Sequence, residues 1–421
     1  MAWRYGLDMR HSGRRCGFTD PGGSVSNLRP EIGYDPAGWV VFFTKVSPGK
    51  SSLNYNTNQT GSLLSFEKCG GLRENDFGTR YTLASFETLE QFMLIDKQPV
   101  SYPPDHVPQL VIVVDTEEEF DWSVLPTPES VSIRAIEEIH LVQDIFDEYE
   151  IQPCYVIDHP IATQKEGIET LKPILESGRC EIGAHLHPWV NPPHEEASNW
   201  QNTYPGNLEH DLELAKLTCL TDSIRQNFDI VPEIYKAGRY GIGPNTANIL
   251  SQLGYTIDLS VCTAFDYRGD GGPDFSNFSA SPYWFGRSKE ILEIPLSGAF
   301  VGVAGRMSQS LHKLAGFFEV LKARGILSRL GIVDRLMLSP EGYEYEEHVK
   351  LTRFLYDRGV RTFTWNFHSP TVVPGMTMYT QSSRDVSRFL DKFRRYFDFF
   401  LDELNGVATT PTKIRRELRS S

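Results

Sequence analysis

The chain has 421 residues, enough for one large domain with additions or for two ordinary ones. Hydrophobic residues make up 40% and aromatics 12%, which excludes global disorder. The formal net charge of -14 argues against a nucleic-acid binder, which needs a concentrated basic face.

The N-terminal stretch MAWRYGLDMRHSGRRCG carries basic residues with no apolar run behind them, so no secretory signal is expected. No segment of about 18 apolar residues occurs, so no spanning helix is expected and the default location is the cytoplasm. Six cysteines are scattered without CxxC spacing. Buried free thiols fit them better than a disulfide framework. Residues 1–104 are rich in Gly, Ser and Asn, and only WVVFFTKV (39–46) and RYTLASFETLEQFMLI (80–95) have ordered character. They predict a poorly ordered N-terminal extension or small appendage. SYPPDHVP (101–108) reads as an extended linker.

From residue 105 to about 405 the pattern turns regular. QLVIVV (109–114) is a buried strand by composition. A helix follows, with Ile133, Ile136, Ile139, Val142, Ile145, Phe146 and Tyr149 on one stripe. PCYVI (153–157), CEIGA (180–184), EIYKA (233–237), YTIDLSV (255–261), ILEIPL (291–296) and RTFTWNF (361–367) are further strands. Helices are expected between them: up to Gly178, over 208–228, from Pro244 to a closing Gly254, near 308–330 and over 341–358. A last amphipathic helix is expected over 383–404, and residues 406–421 read as a polar tail. About seven strands alternating with helices predict a parallel α/β sheet, open or closed into a barrel.

Chemistry-bearing residues follow four of these strands directly. VIVV runs into DTEEEFDW (115–122), CEIGA into HLHPW (185–189), EIYKA into GRYG (238–241) and TFTWNF into HSPTVVPG (368–375). Carboxyl ends of parallel strands share one face, so Asp115, Glu117, His185, His187, Arg239 and His368 are expected at one mouth. Two histidines at i and i+2 face the same way on an extended chain, and with one carboxylate they suit a divalent ion with open positions. Asp115 and Glu117 also share a side; either could be the ligand and the other a base. Arg239 could orient a catalytic carboxylate. His368 is either a satisfied core histidine or a functional one. His194, in NPPHEE, is a rival ligand, and His159 a candidate for the mouth. His11, His106, His140, His312 and His348 read as ordinary histidines.

These motifs resemble the polysaccharide deacetylase family (NodB homology, carbohydrate esterase family four), and in HLHPWVNPP, GGPDFS (271–276) and HSPTVVPG its WalW-like branch. The resemblance covers roughly residues 108–380 and implies a distorted (β/α)7 barrel. It implies Asp115 as general base, Glu117 and His185 as metal ligands, Arg239 orienting the base and His368 as general acid. His187 is taken as the third ligand. Tyr240, through its backbone N–H, and Trp189 are expected at the substrate. The implied cofactor is one divalent metal ion, zinc by preference, and the implied substrate an N-acetylated saccharide. The sequence departs from the family pattern twice. The two acids are separated by Thr116, the second being Glu where the family has adjacent Asp residues, and the histidines are spaced by two where the family spaces them by four. Two other readings stand beside this one: an amide or cyclic-amide hydrolase on the same scaffold, and a catalytically silent carbohydrate-binding protein. Binding alone would need none of Asp115, Arg239 and His368.

Overall fold

The computed structural model describes residues 31–34, 40–43, 97–302 and 334–420. The chain divides into two units, Met1–Tyr81 and Thr82–Ser421. In the first, strand β1 (Glu31–Tyr34) pairs antiparallel with β2 (Val40–Phe43), with Tyr34 opposite Val40. Residues 1–30, 35–39 and 44–96 of the expected N-terminal extension, with its segment at 80–95, the expected helix near 308–330, and His11, His312, Cys16 and Cys69 lie outside the described residues.

The second unit is built on one large sheet. After the short edge strand β3 (Gln98–Pro99), its core strands are β4 (Gln109–Thr116), β5 (Cys154–Ile157), β6 (Glu181–Leu186), β7 (Ile234–Ala237) and β8 (Ile257–Asp258). Strands β9 (Tyr283–Phe285) and β10 (Ile291–Glu293) follow. A separate hairpin of β11 (Gly298–Val301) and β12 (Asp334–Met337) precedes β13 (Thr362–His368). The order across the sheet is β13-β4-β5-β6-β7-β8-β10-β9-β3. The seven strands from β13 to β10 are all parallel; β9 and β3 are antiparallel additions. These seven are the seven read from the sequence. The sheet curls but does not close. The gap beside β13 is bridged by single contacts: Leu338 N donates to Ser297 O (2.8 Å), Asn366 N to Leu338 O (3.2 Å) and Thr364 N to Ser297 Oγ (3.0 Å). The result is an incomplete α/β barrel.

Helices lie between the strands, at α1 (His140–Glu148), α2 (His159–Thr163), α3 (Lys165–Glu176), α4 (His210–Phe228), α5 (Thr246–Leu253), α6 (Tyr345–Tyr356) and α7 (Ser383–Asp398). The isoleucine stripe at 133–145 is buried as expected, but its first part is a 3-10 turn (Arg134–Glu138) ahead of α1. Gly254 ends α5 with φ 85°, a conformation that costs a residue with a side chain. No helix among the described residues is long and apolar enough to cross a membrane. Cys154, Cys180, Cys219 and Cys262 are free thiols, all but Cys219 buried.

Alternation along the strands sorts the side chains between two cores. Leu110, Ile112 and Val114 of β4 join the large cluster under the helices. Val111 and Val113 face the barrel interior with Cys154, Val156, Ile234, Ile257 and Leu292. The same parity carries Asp115, His185, Lys236, Asn366 and His368 to the interior, above this apolar floor. On the helix-covered face, neighbouring register positions line up Tyr235, Asp258, Glu293 and Tyr283, all buried.

Two segments expected to lie apart are packed onto the barrel. In 101–108, the Tyr102 hydroxyl bonds Thr362 Oγ1 (2.8 Å), and Arg361 Nη2 donates to Pro104 O (2.7 Å). Residues 406–421, read as a polar tail, instead form strand β14 (Val407–Thr409), parallel to β4, and helix α8 (Pro411–Ser420). Ile414 is fully buried in the interior cluster, a burial that contributes roughly 1.5–3 kcal/mol. One apolar residue in a polar decapeptide was too weak a signal to read from sequence.

Candidate active site

Four strands meet at the mouth. Asp115 is the penultimate residue of β4, opposite His368 in the β13 register, and Glu117 follows one residue past the end of β4. His185 lies in β6 opposite Lys236 of β7, and His187 follows just beyond β6. All of them are buried.

Glu117 Oε2 lies 3.5 Å from His185 Nε2 and 3.5 Å from His187 Nε2, and its Oε1 is buried without a partner. The other nitrogen of each ring is engaged. His185 Nδ1 donates to the carbonyl of Lys236 (3.0 Å), and His187 Nδ1 lies 2.8 Å from Glu118 Oε2. Burial and the adjacent imidazole keep the His185 pKa well below the ordinary value, and burial takes His187 down to about 3. Burial, then repulsion from Glu118, Asp115 and Asp158, pushes Glu117 well up. A buried carboxylate with a bare oxygen, facing two neutral imidazoles, is a site that lacks positive charge. Glu117, His185 and His187 bring one ligand atom each within 4.8 Å of one another. This donor set fits a divalent ion of the zinc type with positions left open. His194 is exposed and His159 half-buried, and neither belongs to this group.

Asp115 is held differently. Its Oδ2 forms a short ion pair with Lys236 Nζ, its Oδ1 accepts from Asn366 Nδ2 (2.9 Å), and His368 Nε2 stands 3.7 Å from Oδ2. Burial alone would raise its pKa, but Lys236, His185 and His368 together bring it to about 2. Asp115 is therefore ionised at neutral pH. His368 Nδ1 donates to Glu341 Oε2 (2.7 Å), while Glu341 Oε1 accepts from the His368 backbone N–H (3.1 Å) and from Thr371 Oγ1 (2.5 Å). Trp122 meets the His368 ring edge-on at 4.6 Å.

Two expectations are corrected, those for Arg239 and Trp189. Arg239 does not orient Asp115. Its guanidinium bonds Thr203 Oγ1 and Asp270 Oδ2 (2.7 Å) and lies 4.3 Å from the Tyr204 ring centroid. The cause is local: Arg239 and Tyr240 both take left-handed φ, 54° and 60°, which turns the arginine outward. Lys236, still in the strand and on the interior face, is the cation that reaches Asp115. Trp189 is 6% exposed, stacked on His187 at 4.2 Å, with its indole N–H on Glu118 Oε1 (2.5 Å), so it supports the histidine and does not face a substrate. The Tyr240 side chain is buried against Tyr267, beneath Lys236, and its hydroxyl has no hydrogen-bond partner.

Sequence reasoning missed Lys236, Glu118, Asp158, Asn366 and Glu341. A lysine inside EIYKA, on the interior parity, was a readable signal. Glu118 was hidden in an acidic run, and Glu341 lies in a loop 27 residues before His368 with no motif to link them.

No protein-family model and no curated protein matches the chain. Solved structures do resemble it. A Mycobacterium smegmatis protein assigned to the polysaccharide deacetylases is 15% identical over 77% of this chain and 94% of its own, with a TM-score of 0.46. Puue allantoinase is 13% identical over 74% of this chain and 90% of its own, with a TM-score of 0.46. The peptidoglycan deacetylase PdaC of Bacillus subtilis is 12% identical over 76% and 94%, with a TM-score of 0.35. These are likenesses of backbone course.

Proposed function

We propose that the protein is a metal-dependent hydrolase that removes N-acetyl groups from a sugar or a polysaccharide precursor. The observation that carries this reading is one interior mouth with two opposed halves. One half is Glu117 with two neutral imidazoles; the other is an ionised Asp115 beside a second, carboxylate-held imidazole, His368.

Each group has a task in hydrolysing an amide. A divalent ion held by Glu117, His185 and His187 would supply Lewis acidity toward the acetamide carbonyl and toward a water molecule. Asp115 accepts the proton of the attacking water, since Lys236 and Asn366 hold its carboxylate ionised and oriented. The water oxygen bonds the carbonyl carbon and the C–N bond then breaks. His368 delivers the proton that the amine needs on leaving, from Nε2, because Nδ1 is committed to Glu341. The products are acetate and a free amino sugar. The backbone N–H of Tyr240 is assigned to the substrate oxyanion, held in place by the turn at Arg239–Tyr240.

The test is acetate release from a panel of N-acetylated oligosaccharides by zinc-loaded protein, repeated after chelation. Release that depends on the metal is expected. No release from any member of the panel, with one equivalent of metal bound, would remove the deacetylase reading.

A further inference from the structure

We propose that Glu118 is a positioning residue. Anchored by Asp158 and Trp189, it holds the Nδ1 proton of His187 and thereby turns the Nε2 lone pair of that ring toward Glu117. Its importance for metal binding rests on the ligand reading above; the assignment of the proton does not.

The two histidines are anchored in unlike ways. His185 lies within β6 and donates to a backbone carbonyl, which can only accept. His187 lies one residue past the strand, at the start of the short 3-10 turn Pro188–Val190, where no ladder fixes it. Its ring is oriented by side chains: Glu118 at Nδ1 (2.8 Å), Trp189 stacked at 4.2 Å and Phe120 edge-on at 5.8 Å.

Glu118 is itself fixed on every side. Oε1 accepts from Trp189 Nε1, Oε2 faces His187, and its backbone N–H donates to Asp158 Oδ2 (2.7 Å). Asp158 caps α2 in turn, with Oδ1 accepting from Ile161 N (2.8 Å). A continuous path therefore runs from the N-terminus of α2 through Asp158 and Glu118 to the His187 ring.

Glu118, Asp158 and His187 also bring ligand atoms within 4.8 Å of one another, so a second cation is the competing explanation. The oxygens speak against it. Each carboxylate oxygen of Glu118 and Asp158 already has a hydrogen-bond partner, whereas Glu117 Oε1 is buried with none. The open coordination position belongs to Glu117, and Glu118 is closed. Carboxylates that hold the far nitrogen of a ligating histidine set its tautomer and raise its basicity, and their loss typically costs about 10–100-fold in metal affinity.

Two measurements test this. Nitrogen NMR of the metal-free wild type reads the His187 tautomer directly; a protonated Nδ1 and bare Nε2 are expected. Zinc affinity, by competition with a chromophoric chelator, is expected to fall about 10–100-fold in Glu118→Leu. Glu118→Gln, whose amide oxygen can accept the same proton, is expected to recover part of that loss. The Nε2–H tautomer in the wild type would overturn the proposal. So would unchanged affinity in folded Glu118→Leu, or a second zinc equivalent lost selectively in that variant. If the wild type binds no zinc, the ligand reading fails, and the tautomer still decides the role of Glu118. The tautomer also decides if Glu118→Leu does not fold.

Discussion

Two groups of buried carboxylates sit on opposite faces of the same sheet. On the interior face, Asp115 is surrounded by Lys236, Asn366 and His368 and is driven fully ionised. On the helix-covered face, Asp258 and Glu293 are register neighbours, flanked by Tyr235 and Tyr283. Among the described residues the cation that acts on Glu293 is Lys97, and its pull is weaker than the push from Asp258. Burial pushes both carboxyls up, and Asp258 pushes Glu293 further. Equal depth thus gives opposite pKa shifts. What separates the two groups is the company each carboxylate keeps. Opposite charge and imidazoles hold the interior acid ionised, as the proton-accepting role proposed for it requires. Another acid makes a pair that holds protons to higher pH and serves the fold, here by accepting from Ser260 and from the Val261 backbone.

The sharpest way to break this comparison is Asp115→Asn. Turnover is expected to fall on the order of 10²–10⁴, with zinc content unchanged by elemental analysis. Loss of metal in that variant would make Asp115 a ligand and move the proton-accepting role to Glu117.

His368→Ala is expected to lose somewhat less, and selectively. An amine cannot leave as an anion, whereas the phenolate of an activated aryl acetate can. The variant should lose roughly 10²-fold or more on an N-acetyl sugar and much less on the ester. Equal losses on both would leave His368 only a structural or substrate-positioning part.

On the other face, the effect concerns stability and is smaller. Asp258 and Glu293 have folded pKa values above those of the unfolded chain. Their contribution is complete below about pH 4, where both states hold the protons, and is lost as pH rises through the folded values. Glu293→Gln removes one of the two charges. Its midpoint of thermal unfolding should fall less steeply than that of the wild type as pH rises above about 4. Parallel curves would show that the pair does not carry the dependence. Activity should not change.

The strands were readable because β-branched and aromatic runs of four to eight residues recur between helical stripes, and parity then sends Asp115, His185 and His368 inward. Three things were hidden. The left-handed turn at Arg239–Tyr240 uses no glycine at either position, so nothing signalled that the arginine faces away while Lys236 takes its place. The link between Glu341 and His368 joins a loop to the end of β13 with no shared motif. The docking of residues 406–421 depends on a three-residue strand and Ile414 within an otherwise polar segment.

Gly238 binds two of these loops into one. A Cβ at that position would collide with the His187 ring and with the carbonyl of Leu186. The backbone between β7 and its following turn therefore forms part of the wall that the His187 ring leans on. The two segments cannot drift apart over evolution or be exchanged singly between homologous barrels. A chimera that imports the HLHPW loop without the matching GRYG turn places a ring where a side chain already stands. Among descendants of this chain, glycine at 238 and histidine at 187 should be inherited, or abandoned, as a pair.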